Sequence, residues 1–442
     1  MARAVDEAMP PGPRLPKAVQ TVLFLRRAQN DAVSRWHARY GDTYTLRLVG
    51  GRVVVVLVGA DAIREVFTGG AEVFHAPQDN PVAPILGSRS VFLLNEEEHV
   101  QARKMLMPAF NGAALRGYAD MMATIARAEV RRWPVGEPFA AQGLMNRFTL
   151  EVILRVVFGF AEGPRLDAMR GLIDRLMEAG PMTLAGWDHW LLKRLPPWSG
   201  MRAVLRRIDG CLYPEIAERR AQAVADRTDV LSRMLAADPD ATDVDLRDNL
   251  LTLLLAGHET TATSLAWLLH DLAHNPDVLD RTRAAVDADD SRYLQAVIKE
   301  GLRLRTLVAP VARELSRPTT VGGYRLPAGV LVAPYTTLVH QSPADYPDPQ
   351  RFRPDRFLDG SVDGGRWLPF GGGLRRCIGA GFSLQESEVM LRTILTAYDL
   401  SPGGAPERPR ARNVTAAPSA GGRITVLRGA ETYSRVLLRS AE

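Results

Sequence analysis

Two short stretches hold residue types that can do chemistry. The first is Leu368-Pro369-Phe370-Gly371-Gly372-Gly373-Leu374-Arg375-Arg376-Cys377-Ile378-Gly379-Ala380, where a cysteine follows three consecutive glycines and two arginines. An apolar helical pattern (Phe382, Leu384, Val389, Leu391) begins just after it. Glycines let a backbone adopt positive φ or approach a flat object closely. A thiol at a helix N-terminus beside arginines is expected to lose its proton readily, which suits a nucleophile or a metal ligand. A lone cysteine is otherwise a small buried hydrophobe. That bland reading suffices for Cys211, but it leaves the glycine run and the arginines beside Cys377 without a purpose.

The second stretch is Ala256-Gly257-His258-Glu259-Thr260-Thr261, set inside a long apolar segment. A helical threonine can simply bond its hydroxyl to the carbonyl one turn back. A glutamate there is harder to dismiss, because a buried carboxylate is costly unless paired and so often marks function. Helical spacing puts Thr252, Leu255, Ala256, Glu259 and Thr260 on one face, and the small Ala256 leaves room beside it. Two further pairs share helix faces: His99 with Arg103, and Glu300 with Arg303. Taken alone, such pairs are solvent-facing and worth little.

The surrounding pattern predicts the elements that must position these groups. Residues 1–16 are a Pro-rich arm, and Val19–Leu25 suits an amphipathic surface helix. Thr43–Leu48 and Val53–Val58 are β-branched runs joined through Gly50-Gly51 and predict two strands. Helical periodicity dominates from about 97 to 235. The acidic segment Asp238–Asp248 lacks the glycine and final glutamate of a calcium loop. It predicts a solvated loop whose acids favour a helix start. A helix is expected from Asp245 to Asn275, closed by Pro276, and at roughly 45 Å it must cross the core. Shorter helices follow at 277–287 and 291–304, a second β region near Val321–Ala333, and a last helix after the glycine loop. The expectation is a single unit over 1–442, mainly α with a small β-rich lobe.

Composition excludes several classes. Net charge is +5 over 442 residues, which does not demand nucleic acid. Two cysteines cannot build a disulfide framework, so a reducing compartment is expected, with the cytoplasm the default. No apolar run approaches the roughly 18–20 residues of a membrane span, and no secretory leader pattern precedes the prolines.

Phe370-x-x-Gly373-x-Arg375-x-Cys377-x-Gly379 resembles the haem-ligand signature of cytochrome P450 monooxygenases at every fixed position. Ala256-Gly257-x-Glu259-Thr260 resembles the same family's oxygen-activation motif. Glu300-x-x-Arg303 resembles its buried structural clamp, with Arg356 of Phe352-Arg353-Pro354-Asp355-Arg356-Phe357 as third member. The resemblance implies the family's α-rich prism around haem b (iron protoporphyrin IX). It implies Cys377 as the thiolate ligand, with Phe370 beside the sulfur and Gly379 in the ligand loop. Arg375, His99, Arg103 and Arg313 are implied to hold the propionates. Thr260 would bond dioxygen and Glu259 would relay protons, while His258 is a filler position.

The implied reaction puts one oxygen atom of O2 into a lipophilic small molecule, such as a fatty acid, terpenoid, steroid or polyketide. Leu255, Ala256, Val308, Ala416 and Ala417 are the expected pocket walls, with a mobile lid over 78–95. Electrons would come from a ferredoxin and its NAD(P)H-dependent reductase, docking near Lys104 and Arg376. A monomer without nucleic acid or transmembrane anchor is expected. A peroxide-driven peroxygenase and a non-catalytic haem-binding protein are the alternatives. Asn413-Val414-Thr415 spells a glycosylation sequon, a chance match in a cytosolic setting.

Overall fold

The computed structural model describes residues 9–26, 31–159, 162–177, 194–222, 227–360, 362, 365–412 and 415–428. After the arm come α1 (Lys17–Leu25), α2 (Ala32–Tyr40), β1 (Thr43–Arg47), β2 (Val53–Leu57), α3 (Ala60–Thr68), β3 (Phe74–His75) and the single turn α4 (Ala83–Leu86). The helical body holds α5 (Glu96–Leu106), α6 (Gly112–Val130), α7 (Ala141–Phe158, entered through β4, Phe139–Ala140), α8 (Pro164–Met177), α9 (Trp198–Ala221) and α10 (Val230–Ala237). It continues through α11 (Asp243–Ala273), α12 (Pro276–Asp287) and α13 (Ser291–Leu304). Strands β5 (Arg313–Leu315), β6 (Thr319–Val321), β7 (Tyr324–Leu326) and β8 (Leu331–Pro334) then lead to α14 (Thr336–His340). The chain closes with α15 (Ala380–Ala397), β9 (Asp399–Pro402), β10 (Pro409–Arg412), β11 (Thr415–Pro418) and β12 (Arg423–Leu427). This is the expected α-rich body with a small β lobe.

The lobe is a five-stranded sheet in the order β1-β2-β8-β5-β3. Its valine-rich centre buries Val54, Val55 and Val56 on both faces. Gly50 and Gly51, at φ 79° and 77°, make the turn between β1 and β2. The arm is not loose along its described part. The Thr45 N–H and Oγ1 donate to the carbonyls of Pro11 and Pro10, both at 2.8 Å. Gly12 lies so close that a Cβ there would meet the Thr45 carbonyl oxygen at 2.0 Å.

The core is organised around α11. Its 31 residues begin at Asp243, two earlier than the acidic pattern suggested. The reason is a capping box: the Asp245 N–H donates to Thr242 Oγ1 at 3.1 Å and the Thr242 N–H to Asp245 Oδ2 at 3.0 Å. Leu250, Leu251, Leu254, Leu265 and Leu269 are fully buried, with α7 laid along one side of the helix. α15, which starts three residues after Cys377 with Gly379 as its N-cap, packs against α6. Among the described residues no helix is long and apolar enough to cross a membrane.

Candidate functional site

Cys377 is held by its own loop. Its N–H donates to the Phe370 carbonyl at 3.0 Å, and the Arg376 N–H to that of Gly373 at 3.1 Å. Phe370 is fixed in turn by an edge-on contact with Trp367, centroids 5.8 Å apart. Gly371 and Gly373 take φ of 64° and 65°, so the loop needs glycine at both. The bare backbone of this run also lies against α3. A Cβ on Gly373 would lie 1.6 Å from the Phe67 carbonyl oxygen, and one on Gly372 2.5 Å from its ring.

The thiol also departs from expectation. Burial pushes its pKa up, and the Gly379 N–H, Arg376 and Arg103 offset this only in part. The sequence showed the helix start and the arginines but not the low-dielectric surroundings. Cys377 is nonetheless exposed. The side chain is thus accessible although protein surrounds it closely.

The second group of candidate residues lies on α11. Ala256 is exposed and Leu255 and Thr260 half-buried, in a helix whose other positions are mostly buried. Thr260 Oγ1 donates back to the Ala256 carbonyl at 2.7 Å. Glu259 has 4% of its side chain exposed and pairs with Arg412, Oε1 to Nε 3.1 Å. His258 turns to Thr149, Nδ1 to Oγ1 3.0 Å. Burial, then Arg412, pulls its pKa down to about 4, so it is a neutral core residue, as its filler position implied. Thr252 also leaves the expected face for Ser90, Oγ1 to Oγ 2.7 Å.

The third group is cationic. Arg375 Nη2 bonds the Leu94 carbonyl at 2.5 Å and Asn95 Oδ1 at 2.6 Å. Arg313 Nη1 bonds its neighbour's carbonyl, Ala312 O, at 2.9 Å, and Arg103 Nη1 the Arg376 carbonyl at 2.9 Å. Among the described residues no carboxylate pairs with any of the three. Burial lowers Arg313 and Arg375 to about 10, with neighbouring arginines adding to the shift of Arg375. His99 is 2% exposed with no partner on Nδ1. Burial and the Arg375, Arg103 and Arg313 charges hold its pKa near 3, so it acts as a neutral donor. Buried arginines without counter-charges await an anion.

The arginines without a carboxylate partner and the free His99 nitrogen fit a group that carries carboxylates. The family model described as Cytochrome P450 matches residues 10–426. The chain belongs to the cytochrome P450 family. Cytochrome P450 135A1 of Mycobacterium tuberculosis is 41% identical over 437 residues, covering 97% of both chains. Cytochrome P450 135B1 of Mycobacterium bovis is 42% identical, covering 96% of this chain and 93% of that one. Among solved structures, retinoic acid-bound cyanobacterial CYP120A1 superposes with a TM-score of 0.82 at 26% identity, over 95% of this chain and 99% of that one. Proteins of this family are oxidoreductases that bind haem b and use O2 with electrons from an external redox partner. The arginines without carboxylate partners, the His99 nitrogen and the accessible Cys377 thiol suit that cofactor.

The cytochrome P450 site is braced from behind. Glu300 accepts from Arg303 Nε and Nη2 at 2.7 and 2.9 Å and from Arg356 Nε at 3.1 Å, and all three residues are at most 1% exposed. His340 was missed in the sequence. It is fully buried, accepts the Leu368 N–H on Nε2 at 2.9 Å and faces Thr306 Oγ1 with Nδ1 at 2.7 Å. Its carbonyl accepts from Arg303 at 2.8 Å, so it ties the brace to the start of the cysteine loop. A lone histidine in Thr336–His340 offers no sequence signal of this.

The expected pocket segments are partly rearranged. Residues 87–91 do not hang free as a lid: Arg89 N bonds Asp248 at 2.9 Å, Arg89 Nε bonds Asp245 at 2.7 Å, and Val91 N bonds Asn249 at 2.9 Å. Val308 is half-buried just beyond α13. Ala416 is half-buried and Ala417 buried, and successive strand residues point to opposite faces, so the two cannot share one wall. Ala416 N bonds the Leu307 carbonyl at 2.9 Å, which joins β11 to the Val308 segment. Asn413 and Val414 lie outside the described residues.

Proposed function

We propose that this enzyme inserts one oxygen atom into a lipophilic small molecule of some length, a fatty acid, terpenoid, steroid or polyketide. The observation behind this is the exposed Ala256 beside half-buried Leu255 and Thr260 on α11, a small apolar surface left open in an otherwise buried helix. The retinoic acid bound to CYP120A1, an isoprenoid acid, supports an extended apolar ligand. Optical titration of the ferric protein with a long-chain fatty acid and with retinoic acid tests the reading. A saturable low-spin to high-spin shift with either supports it, and no shift with any member of the four classes rejects it.

In this reading Cys377 supplies the thiolate, with Phe370 and Gly379 shaping its loop. Arg103, Arg313, Arg375 and His99 bond the propionates. Haem and thiolate together supply O2 activation. The chain's own part is to place substrate against Leu255, Ala256, Val308 and one of Ala416 and Ala417, to exclude water and to deliver protons. Glu259 takes a proton from the solvent side and passes it to the Thr260 hydroxyl. Glu300, Arg303 and Arg356 hold the frame.

The electron donor we propose is a ferredoxin with its reductase. A 290 Å³ pocket on the α3 side of the cysteine loop, lined by Arg64, Phe67, Trp367 and Arg376, offers a basic rim near Lys104 for an acidic partner. Turnover that ignores ionic strength would argue against docking there. Both cysteines are free, which suits a reducing compartment such as the cytoplasm. A peroxide-driven reaction is the second reading. The Glu259–Thr260 pair weighs against it, and turnover supported by peroxide but not by a redox partner would favour it.

A further inference from the structure

The first helix, α1, is turned inside out. Its one fully buried side chain is polar: Gln20 is 2% exposed, donates through Nε2 to the Leu15 and Pro13 carbonyls at 2.8 and 3.2 Å, and accepts the Arg47 N–H at 2.9 Å. Thr21 accepts the Val49 N–H on Oγ1 at 2.9 Å. Leu23 and Phe24 are half-buried against the β lobe. The other aliphatic side chains meet water. Leu15, Val19, Val22 and Leu25 are 42%, 42%, 50% and 62% exposed, and Val49, held beside Thr21, is 57% exposed.

A single exposed aliphatic residue needs no explanation, but a cluster does. These five are among the 13 large hydrophobic side chains exposed across the described residues, and they lie together on one small face. Positions 15, 19 and 22 follow the i, i+4, i+7 spacing of a helix stripe, and Leu25 continues it. A helix that merely covered the lobe would bury its valines and expose its glutamine.

The charge around the face selects its occupant. Residues 9–26 and 47–52 contain Arg14, Lys17, Arg26, Arg47 and Arg52 and no acid. Arg14, Lys17, Arg26 and Arg52 are exposed, and Arg52 shares its charge with exposed Asp79 at 3.4 Å. Aliphatic side chains set among exposed cations match a surface that is anionic outside and apolar beneath. We propose that the outer face of α1, together with Val49, docks this enzyme reversibly on anionic lipid surfaces. The aliphatic side chains enter the headgroup boundary while Arg14, Lys17 and Arg26 meet lipid phosphates. The inference uses none of the residues assigned to haem or substrate, so it stands whatever the substrate is.

The test is sedimentation of the full haem-loaded chain with vesicles of phosphatidylcholine alone and of phosphatidylcholine mixed with phosphatidylglycerol. Wild type should sediment with the anionic vesicles, stay behind with the neutral ones, and be released by molar salt, which screens charges beyond about 3 Å. Val19→Ser/Val22→Ser should weaken binding roughly tenfold. Arg14→Ser/Lys17→Ser should weaken it roughly thirtyfold and flatten the salt dependence. All four side chains are exposed, so the carbon monoxide difference spectrum and the urea midpoint of both variants should match wild type, which separates lost docking from lost fold. No binding to anionic vesicles, equal binding to both kinds, or unchanged binding in either variant would overturn the inference. Sedimentation velocity without lipid tests the rival occupant. A wild type that self-associates while Val19→Ser/Val22→Ser stays smaller would assign the face to a second copy of the chain and overturn the inference likewise.

Discussion

Acidification should weaken this fold well before its carboxylates titrate. His99, His258 and His340 are 2%, 3% and 0% exposed, and burial first of all holds their pKa values near 3, 4 and 3. In the unfolded chain all return to the ordinary histidine value of about 6.5. Below that pH the unfolded state binds protons that the folded state refuses, so stability falls as pH falls. Each group contributes up to about 1.4 kcal/mol per pH unit. From about pH 6.5 to 5 the set removes about 5 kcal/mol, a large part of a typical total of about 5–15 kcal/mol. Carboxylates such as Asp355, held low by the Arg281 guanidinium, contribute only at lower pH. Urea unfolding at about pH 7, 6 and 5, followed by tryptophan fluorescence, measures the slope. His340→Gln keeps an acceptor for the Leu368 N–H but cannot titrate, so it should cut the slope by about a third. Equal stability at the three pH values, or an unchanged slope in the variant, would refute this account of the buried histidines.

Four further outcomes follow from the site. Glu300→Gln leaves two buried guanidiniums facing an amide, and the urea midpoint should fall by the equivalent of about 3–5 kcal/mol, with haem lost on the way; wild-type stability would contradict the brace. Cys377→Ser should abolish the thiolate-type carbon monoxide difference spectrum, and an unchanged spectrum would mean another ligand. Thr260→Ala should keep haem but send more reducing equivalents into peroxide, measured as peroxide per NADPH; full coupling would count against its hydroxyl. Arg313→Gln should act with opposite signs, raising the urea midpoint of the haem-free protein, where the arginine lacks a carboxylate, and speeding haem loss from the loaded one. A shared sign in both forms would show that Arg313 serves the fold alone.

What the sequence made legible was local. The cysteine loop, the Glu259–Thr260 step and the Glu300–Arg303 pair each lie within a few residues, so residue type and spacing carried them. The helices α12 and α13 emerged within a residue of their expected bounds for the same reason. What stayed hidden depends on distant partners. Nothing in a lone Arg412 announces Glu259, more than a hundred residues earlier, and nothing in His340 announces Leu368. The glycine run was legible as a need for bare backbone, but its neighbour, Phe67 on α3, was not. The Cys377 thiol shows the same limit: charges can be counted along a chain, whereas desolvation belongs to the assembled interior.

The docked arm bears on what the rim of the sheet offers to another chain. β1 is an outer strand of the sheet, and an uncovered outer strand is a template on which another chain can build. Pro10 and Pro11 occupy the Thr45 amide and hydroxyl. Proline has no N–H to offer in return, so the arm ends the ladder instead of extending it. A fusion or trimming that pulled Pro10–Gly12 away from Thr45 would reopen that rim to stacking between molecules. The rim lies three strands along the same sheet from Arg313 on β5, so a loosened edge would also be felt beneath the arginine assigned to the cofactor.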